Sequence, residues 1–90
     1  MKVGPIIADG FICINYNDDP KIFLVEVENS KYFTTSKYID FKESFAYKEK
    51  FPIMPSIIVI TDKKIKYDDR LDIIHLNTDL SNMENLLIKL

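Results

Sequence analysis

Two clusters of turn formers, Asp9-Gly10 and Asn17-Asp18-Asp19-Pro20, cut the first third of the chain into apolar runs too short for helices. Val3 to Ala8, Phe11 to Tyr16 and Lys21 to Glu28 are rich in β-branched and aromatic residues, the composition of strands. Asp-Gly supplies the positive φ angles of a two-residue hairpin, so the first two runs are expected to pair across Asp9-Gly10. The second cluster turns the chain again, which predicts a three-strand antiparallel meander.

From about Thr35 to Lys50, Tyr38, Phe41 and Phe45 recur at helical spacing among lysines and acids, and Pro52 and Pro55 forbid continuation. The spacing predicts a crossover helix with these three aromatics against the sheet. Pro55 to Thr61 is apolar without alternation, the pattern of a strand buried on both faces. Asp72 to Leu76 reads as a further short strand, and Ser81 with Glu84 as the capping box of a C-terminal helix through Leu90. The order βββαβ(β)α defines a mixed α/β fold. With no repeat, low-complexity tract or linker, residues 1–90 are expected to form a single domain.

A chain of 90 residues with 47% hydrophobic and 29% charged content has a globular mixture. At this length only about 60 to 65% of the unfolded surface is buried, near the low end for independent stability. Cys13 has no second cysteine to pair with, and no basic, apolar, cleavable segment precedes the fold, so a reducing, cytoplasmic setting is expected. The longest apolar runs, Ile57 to Ile60 among them, have strand length, so no membrane span is expected. A net charge of −2 gives no global attraction to nucleic acid, and any DNA contact has to be local.

A hairpin turning around Asp18-Asp19 places Phe11 opposite Glu26 and Asp9 opposite Glu28. Side chains alternate with a period of two, so Asp9, Glu26 and Glu28 then project from one face near one end of the sheet. Crowded carboxylates raise one another's pKa unless a cation neutralises them, and Mg²⁺ takes one or two carboxylates plus water and phosphate oxygens. Such an ion orients a water and stabilises charge on a phosphodiester. A slip of one residue would pair Asp9 with Val27 and dissolve the trio.

The pattern Ala8-Asp9-Gly10, a turn, Phe23-Leu24-Val25-Glu26-Val27-Glu28, a lysine-bearing helix and the strand Ser56 to Thr61 resembles the PD-(D/E)XK nuclease superfamily. More narrowly, it is similar to the nuclease-like domain of plasmid replication-relaxation proteins, over about Gly4 to Leu87. The resemblance implies a restriction-endonuclease-like core, a DNA substrate and Mg²⁺ held by Asp9 and Glu26. Glu28 stands where most active members carry a lysine that orients the attacking water; in some members that lysine migrates to the next helix, where Lys37 is the candidate. Ala8 replaces the usual proline, and the helix that normally precedes the first strand is absent from these residues. Either the chain is an excised domain, or a partner covers that face.

Plainer readings stand beside these. Asp9-Gly10 is ordinary hairpin chemistry, and Glu26 and Glu28 are ordinary solvent-facing residues of an alternating strand. His75 reads as a packed or edge-strand histidine, and Cys13 as a small buried strand residue. Lys63, Lys64 and Lys66 are diluted by Asp62, Asp68 and Asp69, which suits a solvated loop better than phosphate contact. Tyr32, Phe33, Tyr38, Phe41, Phe45, Tyr47 and Phe51 exceed what one helix face hides, so some are expected at a protein interface. A homodimer, or a longer chain whose further part covers the open face, is expected on that ground. The competing functional class is a catalytically inactive interaction or dimerisation module that retains the fold.

Overall fold

The computed structural model of the chain describes residues 2–3, 6–16, 18–28 and 35–88. Its strands are β1 (Lys2–Val3), β2 (Ile6–Ile7), β3 (Gly10–Tyr16), β4 (Asp19–Val27), β5 (Ser56–Ile60) and β6 (Ile73–Leu76). Its α-helices are α1 (Ser36–Glu43) and α2 (Glu84–Leu87), and a 3₁₀ turn spans Ala46–Glu49. The main sheet has the order β3-β4-β5-β6. β3 runs antiparallel to β4, whereas β4, β5 and β6 are mutually parallel. Parallel neighbours need a crossover, and α1 with the 3₁₀ turn occupies the connection from β4 to β5. The mixed α/β class is therefore as expected.

The three-strand meander does not form. Val3 to Ala8 contributes only β1 and β2, which pair with each other, Lys2 with Ile7 and Val3 with Ile6. Gly4 and Pro5 interrupt that run in the sequence, and proline has no N–H to give a ladder. Asp9-Gly10 is not the expected hairpin turn either. The Asp9 N–H donates to the Val25 carbonyl at 3.0 Å, although Val25 is already the register partner of Gly10. Two residues thus face one, as in a β-bulge.

The β3–β4 hairpin turns one residue earlier than expected. Tyr16 pairs with Asp19, and Phe11 faces Leu24 rather than Glu26. Asp18 lies in the loop with φ 61°, a conformation that aspartate tolerates, and Pro20 stands in the ladder opposite Asn15. The register therefore differs by two residues. Asp9 does not face Glu28, but an even shift leaves every side chain of β4 on its expected face.

Each face of the sheet carries its own core. On the α1 side Ile22, Leu24, Ile57, Val59 and Ile73 pack with Tyr38 and Phe41, both fully buried, and with Phe51 and Leu71. On the other side Phe23, Ile58 and Ile74 pack with Leu76 and with Leu86 of α2. β5 contributes to both, as its unbroken apolar run predicts, and each such side chain contributes about 1.5–3 kcal/mol by leaving water.

α1 ends at Glu43 instead of near Lys50, because Phe45 enters the left-handed region at φ 60°. Phe45 consequently points away from the core and is 59% exposed, unlike Tyr38 and Phe41. The Ser81–Glu84 capping box is not formed: Met83 holds the N-cap position of α2, and the Ser81 N–H donates to Asp79 Oδ1 at 2.9 Å. Cys13 is exposed rather than buried, since β3 is the sheet edge. Tyr32, Phe33 and the expected helix end at Leu90 lie outside the described residues. Among the described residues no helix is long and apolar enough to cross a membrane.

Candidate functional site

The parallel arrangement sends the C-terminal ends of β4, β5 and β6 to one edge of the molecule, the place where open α/β sheets commonly bind ligands. Glu26 is the second-last residue of β4 and shares the α1 face with Ile22 and Leu24. It is only 4% exposed. A carboxylate that deep requires partners, and α1 supplies two from its first turn. Lys37 Nζ donates to Glu26 Oε1 at 3.1 Å, and the Tyr38 hydroxyl donates to the same oxygen. The Lys37 ammonium also lies 5.1 Å from the centre of the Tyr38 ring, while its side chain remains 42% exposed. One end of the ion pair is therefore fixed in the core and the other reaches water.

Asp9, the residue just before β3, meets the same strand end. Its Oδ2 accepts the Val27 N–H at 2.7 Å, one residue beyond Glu26, and the bulge at Asp9-Gly10 directs it there. Glu28 follows immediately, with its N–H donating to the Ile60 carbonyl at 3.0 Å. Its carboxyl is held above the usual range, first by partial burial and then by the charge of Glu26 and a shared hydrogen bond with it. Asp9 pushes it in the same direction, and Lys37 opposes. The Tyr38 phenol is pushed up by burial first and by its bond to Glu26 second, so its hydroxyl stays a donor throughout the working pH range.

Asp9, Glu26, Glu28 and Lys37 thus converge, although through a different register from the one expected. Tyr38 is the functional candidate that the sequence reading took only as core. A buried tyrosine needs a partner for its hydroxyl, and Glu26 is a carboxylate on the face against which α1 packs.

Other singled-out residues do not join the site. His75 Nε2 donates to the Thr61 carbonyl at 2.8 Å, a structural bond. Lys64 and Lys66 are exposed and Lys63 half-buried on the loop after β5, where Asp62 is tied by Thr78.

Among the described residues no group of three or more His, Cys, Asp or Glu side chains is arranged to hold a metal ion. Two carboxylates remain as oxygen donors. Asp9 commits Oδ2 to Val27, while Glu26 commits Oε1 to Lys37 and Tyr38 and shares a hydrogen bond with Glu28, so an ion here would meet Asp9 Oδ1 and would have to compete with Glu28 for Glu26. That donor set fits Mg²⁺, which needs one or two carboxylates and keeps its waters, and it does not fit a thiolate- or imidazole-seeking metal.

No protein-family model, no curated protein and no solved structure matches the chain.

Proposed function

We propose that this chain is a nuclease-like DNA-processing domain of a plasmid or mobile-element replication or mobilisation protein, acting on phosphodiesters in the cytoplasm with Mg²⁺ held by Asp9 and Glu26. The observation that carries this reading is the Lys37 ammonium 3.1 Å from Glu26 Oε1, at the strand end that Asp9 also reaches. It places a cation where Glu28 brings none, as the PD-(D/E)XK resemblance requires of a migrated lysine. When bound, the ion would supply Lewis-acid stabilisation of the phosphoryl oxygens. Lys37 would orient the attacking water and stabilise charge building on the phosphate, since its exposed head reaches solvent from a fixed anchor. Glu28, with its raised proton affinity, would take the proton released by that water.

The test is cleavage of plasmid and single-stranded DNA with Mg²⁺ against EDTA, for the native protein and for Asp9→Asn, Glu26→Gln and Lys37→Met. Mg²⁺-dependent nicking reduced at least a hundredfold in each variant is expected. Cleavage that survives in all three would move the activity elsewhere or to a contaminant.

A second reading, an inactive interaction or dimerisation module, is favoured by the depth of Glu26, whose side chain is 6% exposed and whose Oε1 already serves two donors. On that reading the cluster is a polar clasp between β4 and α1. Absence of Mg²⁺ binding with an intact fold would select it.

A further inference from the structure

The outer edge of β3 has no strand beyond it among the described residues. Tyr16 and Asp19 close the two-residue hairpin as a hydrogen-bonded pair, so Gly10, Ile12 and Ile14 also turn their N–H and C=O groups toward β4. The groups of Phe11, Cys13 and Asn15 then point outward. Exposed edges are normally protected by charge, proline or a short length. β3 has seven residues, none charged and none proline, and Phe11 is 52% and Ile12 41% exposed. Beside it lies a hollow of about 460 Å³ lined by Phe11, Cys13, Ile22, Lys50 and Phe51.

We propose that β3 pairs antiparallel with β3 of a second copy of this chain, joining two four-stranded sheets into one of eight strands. The segment is self-complementary about a two-fold axis at Cys13. Phe11 then faces the partner's Asn15, and Ile12 faces the partner's Ile14. Both Ile12–Ile14 pairs lie on the face opposite α1, where they extend the apolar surface of Phe23 and Val25 in each copy. On the α1 face the two hollows meet at the paired Cys13 residues. The bulge at Asp9-Gly10 and the hairpin at the other end limit the ladder to this segment, and a net charge of −2 per copy opposes association only weakly. A short ladder covers less than the roughly 800 Å² per partner of a standard interface, so a dissociation constant on the order of 10 to 100 μM is expected. The pairing is independent of the catalytic reading, because it uses neither Glu26 nor Lys37.

Light scattering after size exclusion, from about 5 to 500 μM, reads the association, and oxidation with copper phenanthroline reads the register. Paired Cys13 residues would have Cα atoms about 5.5 Å apart, inside the range a disulfide spans. A concentration-dependent dimer that oxidation traps covalently is expected, with Cys13→Ser abolishing only the covalent product. Asn15→Lys, at an exposed position, and Ile12→Lys should each weaken association at least tenfold. If Ile12→Lys fails to fold, as judged by circular dichroism, Asn15→Lys decides the outcome alone. A monomer at 500 μM would overturn the proposal, and so would a dimer that Asn15→Lys leaves intact and oxidation does not trap.

Discussion

The Tyr38 hydroxyl and the Lys37 ammonium, from consecutive residues, converge on one oxygen of Glu26. The two donors differ in setting: Tyr38 is fully buried, and Lys37 half in water. A hydrogen bond to a buried charge is worth about 1.5–3 kcal/mol; Lys37 reaches the same buried oxygen, but its ammonium keeps contact with water, which screens the pair toward the roughly 1 kcal/mol or less of exposed ion pairs. The tyrosine is therefore the anchor and the lysine the adjustable partner.

That ordering is measurable. Tyr38→Phe, which removes only the hydroxyl, should destabilise the domain by about 2 kcal/mol in urea unfolding. Lys37→Met, which keeps the aliphatic stem, should cost about 0.5 kcal/mol. If Lys37→Met proved the more damaging, the ammonium would be the true anchor, and its role toward a substrate would lose support.

Acid should unfold the protein partly through the loop that joins β5 to β6. The Asp68 carboxyl falls to about 2 from its ordinary 3.8, chiefly because the Arg70 side chain donates to it. Arg70 also reaches Glu43 at 3.1 Å, which ties the loop to α1. Because the unfolded chain binds the proton first, stability falls as pH drops through that window. Asp62 and Asp79, both lowered, act in the same direction. Glu28 acts in the opposite one: its raised value favours the folded state below its ordinary 4.5, and this contribution is lost as pH rises through the folded value. Melting temperatures between about pH 6 and pH 2 should show a loss at the acid end that Asp68→Asn reduces. An unchanged acid limb in Asp68→Asn would show that the pair with Arg70 does not persist in solution.

The β3–β4 turn offers a gain in stability. Asp18 adopts φ 61°, in a region that costs an ordinary residue about 1–2 kcal/mol and glycine nothing. Asn-Gly is also the preferred pair for a two-residue hairpin. Asp18→Gly should raise stability by about 0.5–1 kcal/mol and leave the Phe11–Leu24 register unchanged, as amide chemical shifts would report. A loss of stability would argue against the loop at residues 17–18.

Much of this was legible because apolar patterning is local. The unbroken run of β5, the pair Tyr38 and Phe41, and the alternation that puts Glu26 and Glu28 on one face all follow from residues close in sequence. The failures came where two local signals competed. Asp9-Gly10 and Asn17-Asp18 both suit a tight turn, but only the second is flanked by two runs long enough to make a ladder; Gly4 and Pro5 break the first. Helix length failed for a similar reason. Aromatic spacing continues to Phe45, yet its left-handed backbone ends α1 and turns its ring outward, which periodicity alone does not reveal. The double donation to Glu26 was hidden because it depends on how α1 docks, a tertiary relationship.

Asp9 separates structure from chemistry most cleanly. Its Oδ2 holds the Val27 amide at 2.7 Å, a task that the side-chain oxygen of asparagine also performs, whereas only the aspartate adds negative charge beside Glu26 and Glu28. Asp9→Asn should thus keep the fold within about 0.5 kcal/mol, while Asp9→Ala, which leaves the amide without its acceptor, should cost about 1–2 kcal/mol. Paramagnetic Mn²⁺ in place of Mg²⁺ would read the chemistry through broadening of the amide signals of Asp9, Glu26, Val27 and Glu28. Broadening in the native protein that disappears in Asp9→Asn at unchanged stability would assign the ion to this carboxylate. Broadening that persists in Asp9→Asn would place the cation on Glu26 and Glu28 alone and leave Asp9 as the clasp of the bulge.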